Sequence, residues 1–220
     1  MATDRGRTSK RDDLPSVDRL LTLSDGVVAI ALTLLVLQLR VPPLSHVADP
    51  DSASDLAAQL GNGGSQLISY LISYYVIAHF WLIHHRVFRQ LAGQRESLAW
   101  WNFAFLFTIT IMPFTSDLLG EYGSNPLAIN IFALNLLLAT SATQATLDLG
   151  RRKGLMAPDA DKRAARAGLM RAAGATVVVV ASMGLAWVSP DASKYCWLLI
   201  AVVPRIADRW AQRRSLGAAR

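Results

Sequence analysis

Cysteine is nearly absent from this chain: Cys196 stands alone, so no internal disulfide can form and no cysteine cluster can hold a metal. Charge is sparse as well. Only 17% of the 220 residues are Asp, Glu, Lys or Arg, whereas 52% are hydrophobic and the mean hydropathy is +0.30. A soluble domain of this size needs more polar cover, so part of the surface must meet lipid. The net charge of +6 does not point to nucleic acid, because the basic residues sit between long apolar runs and form no stripe on a folded surface. A nucleophile elbow is missing too, which argues against a hydrolase built from Ser24, Asp25 and His84. His79, His84 and His85 lack the spacing and the further ligands of a metal or haem site, so no cofactor and no small-molecule substrate is expected. Nor is there the internal repeat that marks many transporters.

What the chain does have is apolar length. A hydrocarbon core of about 30 Å takes roughly 20 residues of helix, and six runs qualify: about 19–41, 64–88, 97–118, 125–147, 170–189 and 192–210. The last is the weakest, since Arg205 and Arg209 have to snorkel to the interface. Turn residues separate the runs, among them Pro42-Pro43, Gly120 to Pro126 and Ser189-Pro190-Asp191. The stretch from Leu20 to Leu39 is long, contains Asp25 and lacks an A-x-A cleavage site, so it is expected to be a retained first helix rather than a cleaved signal. Lys and Arg fall on alternate connections: Arg5 to Arg19, Arg86 to Arg95, Arg151 to Arg171 and Arg205 to Arg220 on one side, with only Arg40 and Lys194 on the other. The positive-inside bias therefore predicts an all-α, multi-pass inner-membrane protein with both termini cytoplasmic. Residues 1–18 form a basic N-terminal segment, 19–210 the six-helix domain and 211–220 a basic tail, and the basic loops face anionic lipid.

The first helix carries the most information. Asp25 is costly near hydrocarbon and needs a protein or water partner. Ser24 and Asp25 lie within two turns of the inner end of the first span, His84, His85 and Arg86 near the inner end of the second, and Asn102 near that of the third. All share one depth. A polar cluster joining three helices is expected there, with the carboxylate accepting from imidazole, amide or guanidinium groups. At about 100° per residue, Ile30, Thr33, Leu34 and Leu37 share one face and Asp25 points nearly opposite. Such a stripe ordinarily faces lipid or core, and a lone threonine bonds back to its own helix. Around a symmetry axis the same stripe makes stacked apolar rings, a constriction that gates by dewetting, with Thr33 adding hydroxyl oxygens. The six tryptophans read as interfacial anchors.

At these residues the chain resembles the endolysosomal-type potassium channel family, the transmembrane protein 175 family, in its single-repeat prokaryotic form. The signature R-x-x-x-F-S-D-G-V followed by A-I-x-x-T-L matches Arg19, Ser24, Asp25, Gly26, Val27, Ala29, Ile30, Thr33 and Leu34, with Leu23 in place of the signature phenylalanine. Phe80-Trp81, His84-His85-Arg86, Trp101-Asn102 and Met112-Pro113-Phe114 continue the match. The resemblance implies a homotetramer of six-helix subunits whose first helices line a central pore, with the constriction at Ile30, Leu34 and Leu37 and potassium as the permeant ion. It further implies that Thr33 contributes to potassium preference and that Arg19, Ser24, Asp25, His84, His85 and Asn102 hold the pore helix. No T-V-G-Y-G segment occurs, so selectivity should be modest. The competing expectations are a proton- or ion-coupled transporter using an Asp25, His84 and His85 relay, and a non-conducting membrane scaffold.

Overall fold

The computed structural model describes residues 16–41, 49, 51–93, 95–158 and 162–197, with side chains placed for all of these except 62 and 162–172. Among the described residues six named α-helices follow one another: α1 (Val17–Leu34), α2 (Ala53–Asn62), α3 (Gly64–Phe88), α4 (Glu96–Glu121), α5 (Pro126–Arg152) and α6 (Lys162–Leu185). A single 3-10 turn, Leu35–Gln38, prolongs α1, and a short helical stretch covers 190–197. No strand forms among the described residues; the nearest approach is an isolated bridge between Leu91 and Met156.

Local chemistry sets the helix ends. Ser16 Oγ accepts from the backbone N–H of Arg19 at 3.2 Å and Asp18 sits in the first turn, so α1 starts at Val17, ahead of the apolar run. Asn125 caps α5 through Leu127 N–H at 2.9 Å, with Pro126 as the first helical residue, where its missing N–H costs nothing. The connection after the first span, expected as a loop, contains α2. Ser52 caps it by accepting from Asp55 N–H, and its alanines favour helix.

Among the described residues four helical segments are long and apolar enough to cross a bilayer: Val17–Gln38, Gly64–Phe88, Glu96–Glu121 and Pro126–Arg152. The structure thus supports four of the six expected spans. In the fifth, α6, the apolar helical part among the described residues is Ala173–Leu185, too short alone to cross about 30 Å at 1.5 Å per residue. The sixth, 192–210, is helical through 197 and otherwise lies outside the described residues, as do the N-terminal segment before 16 and the basic tail.

The main core is built by four helices. Val28, Ala31 and Leu35 of the first span meet Ile72, Val76, Ile77 and Phe80 of α3 and Phe105, Ile109 and Met112 of α4. Ile129, Phe132 and Leu136 of α5 close the far side, and α6 rests on α5. A second cluster of Leu20, Phe88, Leu91, Leu98 and Leu155 packs the end of the bundle where α1 begins. There the α3–α4 and α5–α6 connections are clasped by Ala92 N–H to Leu155 O at 2.9 Å and by Ala157 N–H to Gln90 O at 2.8 Å. Gly93 makes this approach possible: a Cβ there would lie 2.6 Å from Leu155 Cδ2 and 3.3 Å from Leu155 Cα. The beginning of α1 is therefore seated on a braced platform.

Candidate functional site

The first helix has two unlike faces. Leu20, Ser24, Val28, Ala31, Leu35 and Gln38 recur at helical spacing and are buried. On the other side, Ile30, Leu34 and Leu37 are 60%, 44% and 72% exposed, and Thr33 is exposed between them. Among the described residues of one copy nothing covers this apolar stripe. Thr33 Oγ1 donates to the Ile30 carbonyl at 2.8 Å, the local bond expected of an isolated threonine. Its proton is thus committed to its own helix, and its lone pairs remain available outward.

Near the beginning of α1, the helices α1, α3 and α4 meet in a buried polar knot. Asn102 Oδ1 accepts from Ser24 Oγ at 3.0 Å and lies 2.7 Å from His84 Nε2, which donates in the Nε2–H tautomer. The His84 ring is stacked between Phe88 and Phe105, each 4.4 Å away, so its nitrogen is held in register with the amide. Ser24 Oγ also lies 2.7 Å from the Leu20 carbonyl, and one hydroxyl proton serves both acceptors. Ser24, His84 and Asn102, expected in one cluster, come together.

The other expected members are placed differently. Asp25 is exposed and accepts from Trp81 Nε1 at 2.7 Å, an indole the sequence reading had assigned to the interface. The reason is angular. Asp25 lies about 100° around the helix from Ser24, so it leaves the buried face and meets α3 one turn away from His84. His85 is half-buried, with its ring 5.7 Å from that of Trp81 and its Nδ1 without a hydrogen-bond partner. Arg19 is exposed and enters only through its backbone N–H at the Ser16 cap, outside the knot. No hydrogen bond or ion pair joins Asp25 to either histidine among the described residues, so the parts of a relay are present but not connected. No group of three or more His, Cys, Asp or Glu side chains could hold a metal among the described residues.

A second knot, at the opposite end of the first span, is not among the sequence-based expectations. Gln38, 8% exposed, donates from Nε2 to the Pro113 carbonyl at 2.6 Å and accepts at Oε1 from Ser116 Oγ at 2.8 Å. Ser73 Oγ in turn donates to Ser116 Oγ at 2.7 Å. Just beyond, Arg40 pairs with Asp117 at 3.6 Å across solvent. The signal was available: a lone amide in an apolar helix, serines four apart at Ser69 and Ser73, and a serine one turn after Pro113.

Comparison with known proteins places this geometry in context. The sequence model described as the endosomal/lysosomal potassium channel TMEM175 matches residues 19–113, which hold both knots except for the chain beyond Pro113. A protein from Streptomyces collinus named a potassium channel is 32% identical over 176 residues, covering 78% of this chain and 82% of that one. Another so named, from Chamaesiphon minutus, is 36% identical over 110 residues, 50% of this chain and 52% of its own length. The crystal structure of a lysosomal potassium-selective channel TMEM175 homolog from Chamaesiphon minutus superposes with a TM-score of 0.75 at 24% identity, over 87% of this chain and 97% of that one. That likeness concerns the fold.

Proposed function

Since the chain belongs to the endosomal/lysosomal potassium channel TMEM175 family, and is therefore an ion-channel protein and not an enzyme, we propose that it is a potassium-preferring cation channel whose first helices surround a shared pore. The assembly is a homotetramer of six-span subunits in a prokaryotic inner membrane, with both termini cytoplasmic, lipid as the surrounding partner and potassium as the permeant ion. The observation that carries this reading is the asymmetry of α1. One face is fastened to α3 and α4 at both ends, while Ile30, Thr33, Leu34 and Leu37 stand uncovered. Four copies of that stripe facing an axis account for the uncovered surface, and they leave a path with no fixed charge.

Conduction follows from the side chains. Rings of Ile30, Leu34 and Leu37 expel water when narrow, so a hydrated cation stops; a small widening lets water and ion through together. Thr33 presents oxygen lone pairs within this apolar sleeve, because its proton is used on Ile30 O. Too few oxygens are offered to replace a hydration shell, so preference for potassium over sodium is modest. Flux from liposomes loaded with potassium and containing the purified protein tests the proposal. Silence at every imposed voltage and pH overturns it. Thr33→Val is expected to lower the potassium over sodium permeability ratio by on the order of threefold, read from reversal potentials under bi-ionic conditions. An unshifted reversal potential removes Thr33 from the selectivity account.

A further inference from the structure

We propose that Gln38 is a positioning residue for the constriction: by holding the last turn of the first span in 3-10 form, its carboxamide keeps Leu37 stacked over Leu34. The inference rests on the pore reading above and adds to it a device that sets where the outermost ring points.

The geometry starts from the helix type. The first span is α-helical to Leu34 and 3-10 from Leu35 to Gln38. In a 3-10 turn residues three apart eclipse one another, whereas in an α-helix they are offset by about 60°. With the turn tightened, Leu34 and Leu37 therefore lie one above the other on the uncovered face. Relaxation to α geometry would swing Leu37 about 60° around the helix relative to Leu34, off the Leu34 line and toward that of Ile30.

An isolated run of Leu, Val and Leu has no intrinsic reason to prefer the tighter turn, whose hydrogen bonds are poorer. Gln38 supplies one. Both ends of its amide are used, Nε2 on the Pro113 carbonyl at 2.6 Å and Oε1 on the Ser116 hydroxyl at 2.8 Å. Its immediate partners are themselves fixed. Ser116 and Ser73 are fully buried and bonded to each other at 2.7 Å, and Pro113 lies within α4 beside the core residue Met112. Rotation of the turn toward α geometry would withdraw the amide from both partners and leave both ends of a buried carboxamide with nothing to bond, an outcome strongly disfavoured away from water. The same carboxamide thus ties the direction of Leu37 to α3 and α4.

The test is cross-linking across the axis in a Cys196→Ser background, which removes the chain's one native thiol. Leu34→Cys and Leu37→Cys are introduced separately and treated with a short bismaleimide in reconstituted protein. With Gln38 present, both positions should cross-link between subunits. Gln38→Leu and Ser116→Ala should each change the rate of cross-linking at Leu37→Cys by about tenfold, the shift that loss of a buried hydrogen bond produces in an equilibrium, and leave Leu34→Cys unchanged. A purely structural role would lower melting temperature yet change both rates equally or neither, and that pattern overturns the inference. Should Gln38→Leu fail to assemble, Ser116→Ala decides alone, since it removes the hydroxyl that bonds Gln38 and Ser73 and no volume of consequence. If neither cysteine cross-links with Gln38 intact, the pore reading itself fails, a result distinct from an unchanged Leu37→Cys rate.

Discussion

Asn102→Leu is expected to be the most damaging single substitution of a polar residue in this chain, lowering stability by about 3 kcal/mol and greatly reducing assembled protein. The side chains are nearly equal in volume, so packing is conserved and the loss isolates hydrogen bonding. Asn102 Oδ1 is the acceptor that both Ser24 and His84 reach from other helices. With leucine there, Ser24 keeps the Leu20 carbonyl, but His84 Nε2 is left buried between two phenylalanines with no acceptor. Ser24→Ala should therefore be much milder, about 1 kcal/mol, because Asn102 and His84 still satisfy each other. Thermal unfolding in detergent, followed by size-exclusion elution of the oligomer, gives the order. Equal losses from the two substitutions would mean that the serine, rather than the amide, is the hub.

The contrast also explains what could and could not be read in advance. Ser24, His84 and Asn102 were legible as one cluster because depth in a bilayer is simple arithmetic: each stands a fixed number of turns from a basic inner loop. Which neighbour each polar atom chooses depends on rotation about the helix and on the packing of other helices, and neither is encoded locally. Asp25 therefore found Trp81, a residue whose amphipathic ring reads equally well as an interfacial anchor. The Gln38 knot was hidden for a related reason. One amide and scattered serines barely lower the hydropathy of their runs, and their partners come from three separate helices. Helix α2 was missed because an Ala, Ser and Asp composition suits loops and short capped helices alike, and the Ser52 cap decides the matter.

Ile30→Asn is expected to raise potassium flux per assembled channel by an order of magnitude or more and to bring the potassium over sodium ratio toward that of free solution, because a polar ring stays wet where an apolar one dries. The opposite result follows if the exposed face of α1 touches lipid. There an asparagine amide must be taken into hydrocarbon, at about 2 kcal/mol or more per copy, so the variant would be less stable and no more conductive. Leu134→Asn on α5 supplies the comparison, since Leu134 is also half exposed but belongs to a helix whose other face packs on α4 and α6. In the pore arrangement the two substitutions part company: Ile30→Asn gains flux with its melting temperature nearly kept, and Leu134→Asn loses stability with flux per channel unchanged. At an axis the asparagine amide wets the ring and keeps water as its hydrogen-bond partner, so it is not taken into hydrocarbon and the exchange removes little stabilisation. Parallel behaviour of the two variants would assign both faces to lipid and leave the conduction path to another helix.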